Sequence, residues 1–403
     1  MLLNAIWVGF FLVGFAVALV KMLQGDLGIF NKLMSGLFDA SKTGFDISLG
    51  LVGVMSLWLG IMRIGEKAGL IEQFAKLLAP FFSRIFPEVP KGHPAAGSMV
   101  MNMSANMLGL DNAATPLGLK AMKELQSLNP KADQASNAMI MFLVLNTAGI
   151  TLIPTSVIAI RQTMAIEQGL KGFNGADIFL PALMGTFVSF SAGLIAVAWV
   201  QRIRLTSLPI LSFFGLFGAF IAALYFSLQG LEAQQLNQRM GVIGSVIIMS
   251  VICLFMLSAV MRRVNVYESF IEGAKEGFSV AVQIIPYLIA MLVAISVFRN
   301  SGCMDYDRFV AALPVGLMKI LSGSGARGLM VDVMKTYGVD SFEGQLAAII
   351  QGSTETTFYV LAVYFGSVNI RKTRHAVACA LWADLVGLIA AILIAYAFFG
   401  RSL

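Results

Sequence analysis

Two clusters of polar residues interrupt long apolar stretches of this sequence. The first occupies residues 109–116 within MVMNMSANMLGLDNAATPLGLKAMKEL, and the second occupies residues 351–357 within SFEGQLAAIIQGSTETTFYVLAVYFGSV. On either side of each cluster lies an apolar arm of about ten residues, which as a helix would be about 15 Å long. Backbone groups that leave a helix between two such arms must find partners or line a polar cavity. The pattern therefore predicts two broken, re-entrant segments whose polar tips bind a small solute.

Glu355 is the ionisable side chain of the second cluster. A carboxylate inside an apolar segment is costly, so it is by default a functional hypothesis. Coupling to Na⁺ or to H⁺, or a hydrogen bond to the solute, would suit this residue. A shallower segment would instead leave it as an ordinary surface carboxylate. Unwound carbonyls at such a tip can hold Na⁺, and the N–H groups that begin a half-helix can bind anionic groups.

Five further polar residues are expected deep among apolar segments. Asp384 and Asn146, which is followed by Thr147, would line one cavity or simply form a helix–helix hydrogen bond, worth about 0.6–2 kcal/mol. Asn102 and Asn106 stand one helical turn apart and share a face, where packing and solute contact are equally open. The predicted substrate-binding residues are Asn102, Asn106, Asn112, Thr115, Asn146, Thr147, Gln351, Ser353, Thr354, Glu355, Thr357 and Asp384.

The composition excludes an ordinary soluble domain. Hydrophobic residues make up 58% of the chain and charged residues 12%, against about 25% charged in an average soluble domain. Apolar runs of about 20 residues, the length that crosses a bilayer, recur along the sequence. The first has no early Lys or Arg, which favours a retained helix over a cleaved signal peptide. We predict an all-α polytopic membrane protein with about eight transmembrane helices, at 5–24, 45–63, 135–160, 177–200, 206–228, 240–261, 278–298 and 374–399.

Four other stretches place apolar residues three and four positions apart, with Lys or Arg on the opposite face. This pattern is typical of amphipathic helices that lie on the membrane surface. Each half of the chain contains two of them. They are residues 25–45, 70–86, 266–278 and 305–321.

The distribution of Lys and Arg predicts an orientation, because these residues accumulate in cytoplasmic loops. Arg202 and Arg204 are separated from Arg262 and Arg263 by two predicted spans, so all four can lie in the cytoplasm. Counting backwards places the N-terminus in the cytoplasm as well. The expected location is the bacterial cytoplasmic (inner) membrane. The same count places the basic segment 371–374 outside, against the rule.

The two halves of the chain are related by an internal repeat. At one constant offset, Asp39, Lys42, Gly44, Phe45 and Gly69 pair with Glu272, Lys275, Gly277, Phe278 and Gly302. A later set pairs Ala138, Asn146 and Gly149 with Ala376, Asp384 and Gly387, and the two tips pair Asn112 and Thr115 with Thr354 and Thr357. An odd number of spans between the two starts would invert the second half. We therefore predict two inverted repeats, 1–203 and 204–403, a design that places substrate near the midplane in secondary transporters.

Motifs of hydrolases and phosphate-binding enzymes are absent from the sequence. The cysteines at 253, 303 and 379 have no metal-ligand spacing. We expect no metal, no cofactor, no nucleic acid and no enzymatic activity. An intramembrane enzyme that uses Glu355 and Asp384 as acid and base is the weakest alternative, because the sequence does not give their separation.

Several stretches of the sequence resemble a known family. RIFPEVPKGHPAAG and GLDNAATPLGLKAMKEL are similar to spore maturation protein A, and SGSGARGLM, the 338–366 stretch and RKTRHAVACALWADLVG are similar to spore maturation protein B. Both belong to the nucleoside-recognition, or gate, membrane domains, with the concentrative nucleoside transporters and the membrane part of ferrous iron transporter B. In that group the tip motif of nucleoside transporters combines Gln, Thr and Glu around a Gly, and Gln351, Gly352, Thr354 and Glu355 look similar.

The resemblance and the residues together imply a function. We expect a transporter of a small polar or anionic solute, coupled to an ion, with its site between two hairpin tips near the membrane midplane. The alternative is an accessory inner-membrane protein that acts through partners in envelope or spore maturation without moving solute. Such a protein would tolerate changes at the tips and fail on changes to the surface helices, for example at Lys76 or Arg84. Relatives of this architecture imply a homodimer or homotrimer in the lipid bilayer.

Overall fold

The computed structural model describes residues 2–109, 111–303 and 311–400, apart from the side chains of residues 2, 3, 111–113, 233, 234 and 303. Within these residues the chain forms sixteen α-helices and no β-strand. The helices are α1 Leu2–Leu23, α2 Ile29–Lys67, α3 Leu70–Ile85, α4 Pro94–Met107, α5 Asp111–Ser127, α6 Asn137–Thr147, α7 Thr155–Glu167, α8 Phe179–Gln201, α9 Leu208–Ser227, α10 Ala233–Met261, α11 Val266–Phe298, α12 Leu313–Leu321, α13 Gly323–Tyr337, α14 Phe342–Ser353, α15 Thr357–Gly366 and α16 Ala376–Phe399.

Eight stretches among the described residues are long and apolar enough to cross a membrane, and the all-α polytopic membrane fold is confirmed. Seven of them overlap predicted spans. The predictions differ from the structure at two segments. The predicted span 135–160 is divided into α6 and α7 by residues 148–154, and the predicted half-membrane segment at Phe342–Gly366 is long enough to cross. Hydropathy alone does not separate these cases, because a short break hardly changes the average over a window.

Two of the four predicted surface helices are not separate elements. Residues 25–45 lie largely in α2, which has 39 residues, and residues 266–278 are the first turns of α11, which has 33. Their amphipathic pattern arises because α2 and α11 pack along each other and bury one face of each. Residues 305–310, about a third of the fourth predicted helix, lie outside the described residues, while α12 forms most of the remainder.

The contact between α2 and α11 is reciprocal. A Cβ added at Gly44 would lie 3.1 Å from the Cα of Ile289, and one added at Gly277 would lie 2.7 Å from the Cα of Ser56. Both Gly44 with Gly277 and Ser56 with Ile289 are separated by the same 233 residues. Each glycine thus allows a close backbone approach to the equivalent position of the other half. The geometry supports the repeat at this offset.

Gly69 and Gly302, a third pair at that offset, have the same unusual backbone. Their φ angles are 66° and 86°, in the left-handed region that favours glycine. Gly69 lies against the guanidinium of Arg262, which follows α10, and Gly302 lies against the ammonium of Lys21, near the end of α1. α1 therefore packs on the second half of the chain, and the end of α10 packs on the first.

The later pairings of the predicted repeat are wrong. By element order, the helix pair α4 and α5 corresponds to α12 and α13, the divided pair α6 and α7 corresponds to α14 and α15, and α8 corresponds to α16. Asn146 lies at the end of a short helix, whereas Asp384 lies inside the 24-residue α16. The predicted pairing matched polar residues of similar type, but these residues lie in helices that are not equivalent in the two halves.

The two ends of the helix bundle are separated by α8, whose 23 residues span about 35 Å. At its start, Asp177 accepts two hydrogen bonds at 3.0 Å from Arg161 of α7. At its finish, the Gln201 amide donates to the Asn137 carbonyl at 3.0 Å and lies 3.1 Å from the His375 ring. We call the region of residues 131–137, 201–204 and 371–375 the basic end, and that of residues 168–178 and 338–341 the distal end.

The segment 371–374 lies at the basic end. The Arg371 and Lys372 N–H groups donate to the Asp133 carbonyl at 2.9 Å, and Arg374 donates to the Ala135 carbonyl at 3.1 Å. The Lys372 ammonium, 3.0 Å from the Asp133 carboxylate, holds the pKa of Asp133 below its ordinary value. These basic residues therefore lie beside Arg202, and their predicted place on the opposite side is wrong. The error came from treating 342–366 as a hairpin that returns to its starting side.

Helix α3 lies across the basic end. It begins at Leu70, directly after Gly69, which lies against Arg262. It ends at Ile85, close to Glu88, which accepts a hydrogen bond from Asn137 at 2.6 Å. Since α10 runs from the distal end, where Asn174 donates to the Gly241 carbonyl, both ends of α3 are at the basic end. This course agrees with the predicted amphipathic helix at 70–86.

Candidate functional site

Two divided helices cross the bundle in opposite directions and meet at their breaks. The pair α6 and α7 begins at the basic end and finishes at the distal end, where Gln168 accepts a hydrogen bond from the Val339 N–H at 3.0 Å. The pair α14 and α15 begins after Ser341 at the distal end and finishes before Arg371 at the basic end. Between the breaks, the Glu355 N–H donates to the Thr147 carbonyl at 3.0 Å.

The second polar cluster therefore lies in the break of a crossing segment, and its predicted place at a hairpin tip is wrong. α14 and α15 follow one another and do not fold back, so Thr354–Thr356 interrupt a continuous path. The interruption exposes backbone groups in mid-path, since Thr354 and Thr356 are extended and cap the two helices. In apolar surroundings such groups are tolerated where protein or a polar cavity satisfies them.

Each break is met by the turn of a neighbouring helix pair. The turn between α4 and α5 touches the first break, because Leu152 N–H donates to the Met107 carbonyl at 2.8 Å and Gly109, with φ of 75°, lies against the Ile153 carbonyl. The turn between α12 and α13 touches the second, where a Cβ at Gly323 would lie 2.7 Å from Thr356 Oγ1. The site is thus enclosed by two breaks and two turns.

Asp384 approaches the second break from α16. Its carboxylate accepts a hydrogen bond from Thr357 Oγ1 at 2.6 Å, and the residue is only 3% exposed. One turn further along α16, Gly387 leaves room for Thr354, whose Cγ2 would lie 2.8 Å from a Cβ at that position. Ser189 of α8 donates to the Ala383 carbonyl at 3.1 Å and holds α16 there.

Three asparagines lie along the inner side of the first turn and break. The Asn106 amide donates to the Asn146 side-chain oxygen at 2.7 Å, and the Asn146 amide donates to the Phe142 carbonyl at 2.8 Å. Asn102 donates to the Ala114 carbonyl at 2.7 Å, linking α4 to α5, and lies 3.3 Å from the Tyr364 hydroxyl of α15. The asparagines therefore connect the first break to α15.

Two cations that the sequence did not single out, Lys319 and Arg327, lie near the breaks, and Lys319 is the one beside Glu355. The Glu355 side chain is 48% exposed, and its carboxylate is 3.9 Å from the ammonium of Lys319, which is 8% exposed. This distance gives an ion pair without a direct hydrogen bond. Arg327 of α13 donates to the Gly323 carbonyl at 3.4 Å and shares a small cavity with Ser156, which follows the first break. The breaks thus have both acidic and basic neighbours.

Three buried acceptor atoms around the breaks have no hydrogen-bond partner among the described residues. They are Asn102 Oδ1, Gln351 Oε1 and Asp384 Oδ1. Leaving a buried acceptor unpaired costs about 1–3 kcal/mol, and more for a charged group. Amide and carboxylate oxygens of this kind accept hydrogen bonds from hydroxyl or amino groups and can coordinate Na⁺. Across the described residues, no group of three or more His, Cys, Asp or Glu side chains is arranged to hold a metal ion.

The remaining predicted residues have varied positions. Thr147 and Ser353 donate to carbonyls of their own helices, those of Val144 and Ile349, and Ser353 also packs against Gly185. Thr115 is half-buried on α5. The side chain of Asn112 lies outside the described residues. Thr147 and Ser353 therefore stabilise the helix ends that border the breaks, and their assignment to substrate binding stays a prediction.

Lys319, Arg327, Tyr364 and Ser189 were missed from the sequence. Lys319 and Arg327 flank the small-residue run SGSG, which marks the turn between α12 and α13 and was the available signal. Tyr364 and Ser189 lie in regular apolar helices, where nothing in the sequence distinguishes them from packing residues.

Comparisons with known proteins agree with this architecture. Residues 48–164 and 281–371, just over half of the chain, match the family described as Gate, nucleoside recognition, and the matched ranges include both breaks. Spore maturation protein A of Bacillus subtilis (strain 168) is 40% identical over 188 residues, which are 47% of this chain and 90% of that protein. Spore maturation protein B of the same strain is 45% identical over 159 residues, 36% of this chain and 89% of that protein. The chain therefore belongs to the Gate, or nucleoside-recognition, family of membrane proteins, within the group formed by spore maturation proteins A and B.

Proposed function

We propose that this protein is a membrane transporter of a small polar or anionic solute, with its site at the meeting of the two breaks. The observation that supports this most is the hydrogen bond between Glu355 N–H and the Thr147 carbonyl, which joins two oppositely directed divided helices in mid-bundle. Divided helices of inverted halves that present backbone groups near the midplane are a recurrent basis of secondary transport. Alternating access would open the breaks first to one end and then to the other.

The side chains support a chemical class of solute. The unpartnered oxygens of Gln351 and Asp384 would accept hydrogen bonds from hydroxyl or amino groups of the solute. Lys319 and Arg327 would attract an anionic group. Asp384 or Glu355 would bind Na⁺ or a proton and so couple solute movement to an ion gradient. No catalytic step is proposed for any of these residues.

The first experiment is a ligand screen on the purified protein in detergent. Thermal stability would be measured with nucleosides, amino acids and dicarboxylates, each with and without Na⁺ and at two pH values. A ligand that binds only the folded state stabilises it by about 2.7 kcal/mol at a hundredfold excess over its Kd. We expect at least one class to raise the Tm of the wild-type protein, and uptake of that solute into proteoliposomes to follow an imposed ion gradient.

The variants Asp384→Asn and Gln351→Ala test the site, with Ser250→Ala as the matched control. Ser250 is exposed on α10, and among the described residues its hydroxyl donates only to the Val246 carbonyl. We expect the two site variants to lose both the Tm shift and the uptake while the control keeps them. Unchanged binding and uptake in both site variants would contradict the assignment of the site.

A second candidate function is an accessory role in envelope or spore maturation through partners, without solute movement. The names of both relatives refer to spore maturation and to no solute, which favours this candidate. In a strain that depends on the protein, the accessory role predicts that Asp384→Asn and Gln351→Ala complement fully. Loss of complementation in these folded variants would instead favour transport.

We also propose an orientation and an assembly. α1 runs parallel to α11, since Trp7 donates to the Ala290 carbonyl at 3.0 Å and Lys21 lies against Gly302, so the N-terminus points toward the basic end. By the positive-inside rule the basic end would be cytoplasmic, in a bacterial inner membrane. A homodimer or homotrimer is the proposed assembly, checked by the mass of the purified protein.

A further inference from the structure

A groove of about 630 Å³ lies between α3 and the segment that leads into α4, at the basic end of the bundle. Its floor is apolar and includes Phe82, Phe86, Met99 and Val100, which are buried in the protein core. It is remote from the breaks, because α4 extends from the basic end toward Met107 at the first break. The proposed transport site therefore does not account for it.

The rim of the groove is positively charged. Lys76 and Arg84 project from α3 and Lys91 from the following loop, and all three residues are exposed. Glu72 is the acidic residue on the lining. Within the described part of the chain, none of the three cations takes part in an ion pair or a side-chain hydrogen bond. Three cations and one carboxylate around an apolar floor are complementary to an anion that has an apolar body.

The position of the groove fits a lipid. α3 lies across the end of the bundle with an apolar face turned inward, as do helices in the interfacial plane of a membrane. Its Leu77, next to Lys76, is 72% exposed, as expected for a side chain that enters the acyl region beside the groove. A phosphate group at this depth would lie level with the cations while its acyl chains cover the apolar floor.

We propose that this groove is a specific binding site for the head group and upper acyl chains of an anionic phospholipid. Lys76, Arg84 and Lys91 contact the phosphate, and the phenylalanines and methionine of the floor contact the glycerol and first methylenes. Each basic residue near an anionic surface contributes about fivefold to affinity. The three together give about a hundredfold preference over a zwitterionic lipid of equal chain length.

The test uses the full-length protein in detergent, titrated with dioctanoyl phosphatidylglycerol, dioctanoyl phosphatidylcholine or inorganic phosphate, with bound ligand followed by native mass spectrometry. The charge variant combines Lys76→Gln, Arg84→Gln and Lys91→Gln. Its control combines Lys123→Gln, Lys131→Gln and Lys171→Gln, exposed lysines outside the groove. The shape variant is Gly97→Leu, because Gly97 lines the groove on helical backbone and an added Cβ there meets nothing within 4 Å.

We expect phosphatidylglycerol to bind the wild-type protein about a hundredfold more tightly than phosphatidylcholine. The charge variant should lose this preference, the control should keep it, and Gly97→Leu should lower affinity for both lipids without changing the charge. Equal phosphatidylglycerol affinity in the charge variant and its control would overturn the proposal. Binding of inorganic phosphate as tight as that of the lipid would also overturn it, because it would indicate a site for a free anion. Unchanged lipid affinity in Gly97→Leu would overturn it as well, because it would indicate attraction to the charged surface alone.

Discussion

At the scale of single residues, Thr357 and Asp384 form a buried hydrogen-bonded pair in the site. The hydroxyl donates at 2.6 Å to a carboxylate that is almost entirely enclosed, and the second carboxylate oxygen has no partner among the described residues. A half-satisfied buried carboxylate is expensive for stability alone. We expect the second oxygen of Asp384 to bind a solute or an ion during the proposed transport cycle, which would offset this cost.

Thr357→Val should destabilise the protein by about 1–3 kcal/mol, because it keeps the shape of the side chain but removes the donor to a buried carboxylate. Denaturant or thermal unfolding in detergent measures the loss. In the Asp384→Asn background the same substitution should cost less, so the double-mutant cycle should give a coupling of about 1 kcal/mol. Two additive losses would mean that the hydrogen bond contributes little.

Gly387 offers a second prediction at this scale. Replacing a helical glycine with alanine usually stabilises a helix by about 1 kcal/mol. At Gly387 the added Cβ would lie 2.8 Å from Thr354 Cγ2 and 3.0 Å from Ser189, so Gly387→Ala should destabilise by about 1–3 kcal/mol. Gly218→Ala on α9, with nothing within 4 Å, is the control and should be neutral or stabilising. A similar rise in Tm for both variants would contradict the tight packing of Thr354 on α16.

At the scale of elements, the distal ends of the two divided helices are fastened together by a buried arginine. Arg161 of α7 is fully buried, donates twice to Asp177 at 3.0 Å and once to the Val339 carbonyl at 3.1 Å, and lies 5.2 Å from the Phe173 ring centre. Its contacts connect α7, the start of α8 and the start of α14. The anchor holds both crossings in register at one end while their breaks stay in mid-bundle.

Arg161→Met should destabilise the protein by about 3–5 kcal/mol, because it leaves Asp177 buried without its partner. Arg161→Lys should recover only part of the loss, since an ammonium cannot form the two-pronged contact with Asp177 and reach Val339 as well. The exchange Arg161→Met with Asp177→Leu should be more stable than Arg161→Met alone. Unfolding in detergent measures all three variants, and a Tm for Arg161→Met equal to that of the wild type would show that the anchor is not needed.

At the scale of the whole molecule, the contacts place most loop cations at one end. The loops after α8 and α10 and the segment before α16 meet there, and α3 covers the same end. The arrangement follows from two crossings, each divided by a break, that leave α15 and α6 on the same side. One end rich in Lys and Arg is what the positive-inside rule requires of a membrane protein with a single orientation.

Cysteine labelling tests this arrangement. In a background without the native cysteines, Arg202→Cys, Arg263→Cys and Lys372→Cys should all be labelled from the same side of the membrane by an impermeant maleimide. Gln229→Cys, between α9 and α10, should be labelled from the other side. Labelling of Lys372→Cys together with Gln229→Cys would mean that 342–366 turns back, as the sequence pattern had suggested.

The sequence by itself determined the class of the protein and most of its polar residues. Its apolar runs have the length of a bilayer, and a chain so poor in charge has no soluble alternative, so the all-α membrane fold and seven of the spans followed from hydropathy. The glycines that pair between the two halves at one constant offset could also be identified from the sequence, because close helix contact requires them at fixed positions. Asp384, Asn146 and the 351–357 cluster stood out because polar groups in apolar segments are costly.

Only the tertiary structure decided how these residues combine. Hydropathy does not record direction, so a helix that breaks and continues looks the same in sequence as one that breaks and returns, and the course of 342–366 depended on contacts at both of its ends. The hydrogen-bond partners of Asp384 and Asn146 depend on which helices pack together. Lys319 and Arg327 lie near the breaks because the turn between α12 and α13 contacts the second break. The lipid groove has no sequence signature either, because it is formed between α3 and α4, whose facing surfaces are defined only once both helices are in place.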